Sequence, residues 1–239
     1  METVRISLET KSYLKLKLKL EQDRPRRNFN PRKTKRYGRQ TFDPGFLVKY
    51  SPKWKYARLY NFPYPGAHWQ PRMRTMVIAV DGGSRGNNRN DPKSRAAYGV
   101  YFGPNCPRNT QALLPPSAPQ TSSRAELEAV RKALEIVQEM KRAGELDGWR
   151  EIIIKLDSDY VAKSLGEYIW TWERNGFMTR KGTPVEHGDL IRELHGTITQ
   201  LEREGAVRFW RIGREWNREA DALVNQVLDD VSDSGYEDS

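Results

Sequence analysis

Cysteine and long apolar runs are almost missing from this sequence, and each absence excludes a class of protein. Cys106 is the one cysteine among 239 residues, so no disulfide can form within the chain, and a reducing compartment is favoured. No stretch of 18 apolar residues occurs, which argues against a transmembrane helix. The N-terminal region lacks the apolar segment of a secretory signal peptide. We therefore expect an intracellular protein, nuclear or cytoplasmic, that does not contact membranes.

Positive charge is concentrated near the N-terminus. The net charge is +10, and residues 1–74 hold 19 basic residues against 5 acidic ones, whereas the remaining residues hold 22 against 26. A basic extension on a mildly acidic body indicates a polyanionic partner, most simply nucleic acid, although solubility or nuclear import would also explain it. Glu2, Glu9, Glu21 and Asp23 argue against a mitochondrial presequence but leave a mitochondrial location open.

Residues 1–74 show few signs of a packed core. In "SYLKLKLKLEQ" leucines alternate with lysines, which suits an edge strand, but no apolar strand lies beside it, so we predict a weakly ordered arm. The basic, proline-interrupted "DRPRRNFNPRKTKRYGRQ" is predicted to be disordered until a partner binds. In "KWKYARLYNFPYPGAHW" basic and aromatic residues alternate; this stretch either packs onto the neighbouring domain, which we favour, or stacks on nucleic-acid bases. We interpret residues 1–74 as a largely disordered basic extension that binds nucleic acid.

Regular hydrophobic patterning predicts a folded domain over residues 75–230. Apolar segments predict five strands, at 77–80, 96–103, 110–115, 151–156 and 206–212. Helices are predicted from Ser123, with Glu126 at capping-box spacing, to Gly144, and over 159–173, 189–202 and 217–228. This order predicts an α/β fold in which helices flank a mixed sheet of five strands. The acidic residues 231–239 are predicted to be disordered.

Four acidic side chains occupy positions that should converge. Asp81 and Asp157 each follow an apolar strand, so their carboxylates meet at one sheet edge if the two strands are neighbours. Glu126 begins the apolar stripe of its helix, and Asp221 lies one turn after Asn217 on the inward face of the last helix. Each acid alone has an ordinary explanation, such as a turn, a cap or a strand end. Together, buried carboxylates repel one another and need cations, and oxygen ligands without His or Cys neighbours favour Mg²⁺ or Mn²⁺.

The segments around the four acids carry both a chemistry and a resemblance. Two metal ions held by carboxylates can activate a water molecule and stabilise a leaving oxygen, which is nuclease chemistry. The segments "VDGGSRGN", "TSSRAELEAVRKAL", "KLDSDYVAKSL" and "NREADALVNQ" resemble, in order and spacing, those of the type 1 ribonuclease H family. The resemblance covers residues from 74 to about 230. It implies a ribonuclease H-like fold and metal-dependent, endonucleolytic cleavage of the RNA strand of RNA–DNA hybrids.

The resemblance implies roles for individual residues. It makes Asp81, Glu126, Asp157 and Asp221 similar to the family's metal-binding and catalytic quartet. Substrate contacts are implied for Gly82 and Asn87 on the RNA strand, for Thr121 at a DNA phosphate, and for Tyr168 and Trp172 as an aromatic wall beside the DNA strand. Ser122 and Ser123 are also implied to be substrate-binding positions. The alternative for the two aromatic residues is that they belong to the helix core.

This chain departs from the family's pattern at several substrate positions. The two serines stand where the family commonly has asparagines, and His187 replaces an asparagine that supports DNA-phosphate binding. Asp159 stands in place of a glutamine, and its negative charge is expected to weaken phosphate contact or to change metal affinity. The loop before Asp221 normally carries a histidine that helps product leave, but "IGREWNREAD" has none. Arg214, the nearest replacement, can hold a phosphate but cannot shuttle protons at neutral pH, so we expect slower turnover.

Several functions are compatible with the sequence. The main hypothesis is a monomeric, metal-dependent endoribonuclease acting on RNA–DNA hybrids. The alternative is a catalytically weak or retired domain that binds nucleic acid without cutting it, motivated by the serines, Asp159 and the missing histidine. A third hypothesis is the same fold acting on single strands or duplex RNA. A purely structural scaffold would leave the inward-facing acids unexplained.

Overall fold

The structure, a computed structural model, describes residues 24–31, 44–61, 70–72, 74–86 and 94–234. Within these ranges one sheet is formed by β1 Val48–Ser51, β2 Tyr56–Asn61, β3 Gln70–Pro71, β4 Thr75–Arg85, β5 Arg95–Tyr101, β6 Thr110–Leu113, β7 Glu151–Leu156 and β8 Ala206–Arg211. The longest apolar runs, in β4 and β7, are fully buried at their centres. Such runs are typical of strands that are covered on both faces.

The order of the central strands decides which side chains can meet. The sequence of neighbours is β6–β5–β4–β7–β8, in which β5 is antiparallel to β4 and β6 while β7 is parallel to β4 and β8. In the β4–β7 register Ala79 lies opposite Lys155. Asp81 and Asp157 each come two residues later, so they lie at the same end of this strand pair. The predicted mixed sheet flanked by helices is confirmed: the five predicted strands are β4 to β8, and β1 to β3 extend the sheet to eight strands.

The helices of the described residues are α1 Pro44–Leu47, α2 Ser122–Arg142, α3 Asp159–Lys163, α4 Ile169–Trp172, α5 Gly188–Leu201 and α6 Arg218–Ser234. From α2 onward the helices follow the predicted order, but α1 was not predicted and the helix predicted over 159–173 is divided into three segments. A π-helical segment, Ser164–Tyr168, joins α3 to α4, and a 3₁₀ turn, Arg214–Trp216, precedes α6.

The N-terminal cap of α2 differs from the prediction. Thr121 is the cap, and its hydroxyl accepts the backbone N–H of Arg124 at 3.2 Å. The predicted start at Ser123 with Glu126 in a capping box is therefore wrong. A hydroxyl two residues earlier satisfies the free N–H group, and the Glu126 carboxylate bonds elsewhere.

Two faces of the sheet are covered differently. On one face Ile78, Val80 and Ile154 pack into a large core with the apolar stripes of α2 and α5. On the other face α6 covers β5 through Val224 and Leu228. The rest of that second face is covered by the N-terminal extension.

The described part of the extension is ordered, which corrects the prediction of disorder for residues 24–31. Phe29, Leu47 and Leu59 are buried in one cluster with Ile153 and Trp210 of the central sheet. The aromatic stretch that begins at Lys53 packs onto the domain in its described part, as favoured above. The cause is tertiary, because the apolar side chains of the extension are buried against the apolar face of β4, β7 and β8. The arginines and prolines that flank these side chains in the sequence give no local sign of this burial. The "SYLKLKLKLEQ" segment lies outside the described residues.

The last helix extends further than predicted. Helix α6 runs to Ser234, so residues 231–234 are helical where a disordered tail was predicted, and residues 235–239 lie outside the described residues. A helix that is already anchored by a packed stripe extends at little cost, because nucleation has been achieved. Among the described helices, none combines the length and the apolar character needed to cross a lipid bilayer.

Candidate active site

Four carboxylates from four elements lie at the same end of the β4–β7 pair. Asp81 is in β4, Glu126 in α2, Asp157 directly after β7 and Asp221 in α6. All four side chains are partly buried. Asp81 lies within electrostatic range of each of the other three.

Asp81 is not a turn residue, because β4 continues past it to Arg85. Glycines make this possible. A Cβ on Gly82 would lie 2.2 Å from the backbone nitrogen of Glu126, and a Cβ on Gly83 would lie 3.0 Å from Val224. The strand therefore passes close between α2 and α6, and that approach brings Asp81 next to Glu126. The ordinary turn explanation for Asp81 is wrong.

Burial and mutual repulsion raise the pKa values of two of the acids. For Asp81 the largest cause is desolvation, and the second is the charge of Asp157. With smaller contributions from the charges of Asp221 and Glu126, these effects raise the pKa of Asp81 to about 7. Desolvation likewise raises the pKa of Glu126 to about 7, with Asp157 adding to the rise. A positive charge close to these two carboxyls would lower the cost of ionising them.

Three of the four carboxylates accept hydrogen bonds from neighbouring side chains. The Ser158 hydroxyl donates to Glu126 Oε2 at 2.5 Å, and Asn217 Nδ2 donates to Asp157 Oδ1 at 3.3 Å. Asp221 accepts from Arg214 Nη2 at 3.0 Å and from the Asn225 amide at 2.8 Å.

The donor chemistry of this cluster fits divalent cations such as Mg²⁺. Among the described residues, no three His, Cys, Asp or Glu side chains already stand close enough together to hold a metal ion. The all-oxygen donor set and the raised pKa values of Asp81 and Glu126 are what a hard cation would compensate.

The predicted contacts at the start of α2 lie beside β4. The Ser122 and Ser84 hydroxyls are 3.0 Å apart, so Ser122 reaches the strand that carries Asp81. Thr121 caps the helix, and Ser123 is partly buried in its first turn. Gly82 is buried against the same helix and belongs to a strand, not to the loop that was expected.

Asp159 carries its negative charge among cations. Its carboxylate bonds Lys163 Nζ at 2.6 Å and lies 3.9 Å from Arg211 Nε, and the Lys163 bond is the main cause of its lowered pKa. The local balance of these three side chains is therefore positive. The repulsion of phosphate expected from Asp159 alone is offset by its neighbours.

The aromatic residues and the remaining predicted contacts differ in exposure. Tyr168 is 44% exposed, which contradicts a place in the helix core, while Trp172 is partly buried against the core and lies 5.6 Å from Tyr168 between ring centroids. The His187 side chain is only 7% exposed, with Nε2 3.7 Å from Glu186. Asn87 lies outside the described residues.

Comparison with known families and proteins identifies the family to which this domain belongs. Residues 73–229 match the family described as RNase H. This chain belongs to the RNase H family. Ribonuclease H of Schizosaccharomyces pombe is 36% identical over 115 residues, which cover 48% of this chain and 38% of that protein. Ribonuclease H1 of Homo sapiens is 31% identical over 155 residues, which cover 63% of this chain and 49% of that protein. The chain thus spans half or less of the length of these two relatives.

A solved structure with a similar fold is LC11-RNase H1, isolated from compost. It is 21% identical, and the match has a TM-score of 0.46 over 66% of this chain and 99% of that one. The membership of the RNase H family rests on the match over residues 73–229.

The sequence reasoning missed three residues that support this RNase H site. Asn217 is fully buried, and Nδ2 also donates to the Val80 carbonyl at 2.9 Å, so it joins α6 to β4. Ser158 both caps α3 and holds Glu126. Position offered a signal in both cases, because each polar residue opens a helix beside a candidate acid.

Lys155 is the third, and no local pattern marks it. It lies in β7 with a buried side chain, and Nζ donates to the Trp216 carbonyl at 2.9 Å and lies 3.7 Å from Glu219 Oε2. It fastens the loop that carries Arg214 to the sheet. A lysine in an apolar strand could be recognised only once its partners were in place.

Proposed function

We propose that this chain hydrolyses the RNA strand of RNA–DNA hybrids by endonucleolytic cleavage. The observation that carries the proposal is that four carboxylates lie at one edge of the sheet in an RNase H domain, and that desolvation and the charge of Asp157 raise the pKa values of Asp81 and Glu126 to about 7. Such a cluster is costly to the fold and is compensated by cation binding. We therefore assign Asp81, Glu126, Asp157 and Asp221 as ligands for Mg²⁺ or Mn²⁺.

The protein groups divide the work of this site. Divalent cations bound there would supply a water of lowered pKa and would neutralise charge on the reacting phosphate. Ser158 orients Glu126, and Asn217 orients Asp157. Arg214 is 78% exposed and lies beside Asp221, so it can turn to a phosphate as the substrate arrives. Because an arginine stays protonated, it supports binding better than proton transfer.

A second candidate function is nucleic-acid binding with weak or no cleavage. The Arg214–Asp221 ion pair favours it, because it occupies a candidate ligand and puts a non-titrating group where proton transfer would be useful. The positive surroundings of Asp159 are compatible with either function.

The deciding experiment is cleavage of a labelled RNA–DNA hybrid in Mg²⁺ and in Mn²⁺, alongside single-stranded RNA, duplex RNA and duplex DNA. Asp157→Asn removes one carboxylate, and Asp147→Asn makes the same change at an exposed position in the turn before β7. Hybrid cleavage that is lost in Asp157→Asn and kept in Asp147→Asn supports the proposal. Binding without cleavage in either metal favours the second candidate, and cleavage of another substrate in preference to the hybrid refutes the assigned specificity.

The basic extension is proposed to add sequence-independent affinity to this nuclease domain, which we expect to act as a monomer in the nucleus or cytoplasm. Changing five basic residues outside the described ranges to glutamine, namely Arg32, Lys33, Lys35, Arg36 and Arg39, leaves the packed segments unchanged. The slope of log affinity against log salt should become shallower by about 0.9 for each lost phosphate contact. An unchanged slope would show that these five residues of the extension do not contact the phosphates of the nucleic acid.

A further inference from the structure

A short segment of the N-terminal extension, residues 24–31, lies along the outer edge of β8; we call it the strap. The Phe29 N–H donates to the Phe209 carbonyl at 2.8 Å, and the Phe209 N–H donates to the Arg27 carbonyl at 2.6 Å. The strap therefore continues the sheet by parallel pairing beside β8. This pairing fixes the direction in which the strap side chains point.

Arg27 of the strap is anchored in the helical layer. Its side chain is 0% exposed, and it forms an ion pair with Glu202 at 2.8 Å. Nη1 lies 2.8 Å from His195 Nδ1, and the guanidinium stacks over Trp170 with its centre 4.6 Å from the ring centroid. A buried arginine with this many partners has one available position, because any shift leaves charge or donors unpaired.

The same arginine contacts the π-helical segment Ser164–Tyr168. Nη1 donates to the Leu165 carbonyl at 3.3 Å. A π-helical turn disturbs the regular hydrogen-bond ladder of a helix, and carbonyls there accept outside donors. Arg27 thus holds the segment at its second residue.

Asn28 holds the segment at the next two positions. Its Nδ2 donates to Glu167 Oε1 at 2.6 Å. A Cβ on Gly166 would lie 2.2 Å from Asn28 Oδ1, so the glycine leaves the space that Asn28 fills. Strap and π-helical segment therefore fit each other over three consecutive residues, 165–167.

Tyr168 ends this segment and begins the exposed aromatic pair. It follows Glu167 directly, is 44% exposed and lies 5.6 Å from Trp172 between ring centroids. The direction of both rings depends on the path of the helix through Ser164–Tyr168. Aromatic rings contribute to nucleic-acid affinity only when they are correctly aimed at the sugar or base.

We propose that Arg27 and Asn28 are positioning residues: through the π-helical segment they set the orientation of Tyr168 and Trp172 and thereby the affinity for the hybrid. The proposal rests on the function proposed above for its consequence, but its structural part concerns the free protein. It gives the extension a role beyond charge, since a segment outside the family match holds a substrate surface inside it.

The first measurement is amide hydrogen exchange of the free, full-length protein. Arg27→Lys keeps the charge but loses the planar, multiply bonded fit, and Arg26→Lys is the matched control because Arg26 is exposed. Exchange of residues 164–172 should become about 3- to 10-fold faster in Arg27→Lys, with β4 unchanged. Gly166→Ala, which displaces Asn28 while favouring the helix intrinsically, should give the same local effect. Unchanged exchange in both variants overturns the proposal.

The second measurement is hybrid affinity in the Asp157→Asn background, so that substrate is not consumed. Arg27→Lys should weaken binding about 3- to 10-fold, but should have almost no further effect once Tyr168 and Trp172 are alanine. An equal loss in both backgrounds, or no loss while the alanine variants bind more weakly, overturns the positioning role. If the background protein fails to bind the hybrid at all, the proposed function fails, and the exchange result still decides the structural part.

Discussion

Replacing Asp81 by asparagine should stabilise the metal-free protein while abolishing cleavage. The pKa of Asp81 rises from 3.8 to about 7 in the folded state, chiefly through desolvation and the charge of Asp157. One pKa unit corresponds to about 1.4 kcal/mol, so ionising this carboxyl in the folded protein costs on the order of 4 kcal/mol. Asp157 shares part of that cost, and we expect about 2 kcal/mol to appear as a gain in stability in Asp81→Asn at pH 8.

The pH dependence follows from the sign of the shift. A carboxyl whose folded pKa lies above its unfolded value binds its proton more tightly when folded, so its stabilising contribution is full below pH 4. That contribution is lost as the pH rises from about 4 to about 7 and stays lost above it. Asp81→Asn cannot titrate, so its free energy of unfolding should fall less over this window than that of the unaltered protein.

Thermal and urea unfolding in a chelator, at pH 5 and pH 8, measure this difference. A gain of about 2 kcal/mol at pH 8 corresponds to a Tm rise of roughly 4–8 °C for a domain of this size, and a gain about a third as large is expected at pH 5. Asp147→Asn, at an exposed position, controls for the general loss of a negative charge. If Asp81→Asn is less stable than the unaltered protein at pH 8, Asp81 does not experience the desolvation and repulsion described above.

Other predictions concern the extension and the loop before α6. Leu59→Ala empties a fully buried position contributed by the extension and should cost about 3 kcal/mol in urea unfolding, whereas Phe46→Ala, at an exposed position, should cost almost nothing; equal small effects would contradict a packed extension. Lys155→Met should lower kcat more than it raises KM because the Trp216 carbonyl loses its donor, and Lys155→Arg should restore part of the loss; a change in KM alone would argue against this role. Arg214→His should raise kcat and add an inflection near pH 6.5 to its pH profile, and a flat profile would show that this position takes no part in proton transfer.

The central fold could be read from local pattern because its signals are local. The apolar runs of β4 and β7, the helix stripes and the turns between them are specified by neighbours in sequence. The candidate acids could be found because Asp81 and Asp157 follow strands, and because the resemblance put Glu126 and Asp221 in register with them. The pattern is wrong about one strand boundary. It predicts that the strand ends before Asp81, but β4 continues to Arg85 because Gly82, which has no Cβ, allows the strand to pass close to α2.

The sequence by itself therefore determined the order of strands and helices from β4 onward, the four candidate acids and the positive charge of the extension. Only the tertiary structure decided the rest, because the groups concerned are far apart in the chain. In the sequence Arg27 belongs to a basic segment that is predicted to be disordered. In the structure it is buried against Trp170 and Glu202 and anchors that segment. The raised pKa values of Asp81 and Glu126 depend on water being excluded from a cluster that no short stretch of sequence contains. Desolvation is a property of the assembled fold, and it cannot be predicted from the local pattern of the sequence.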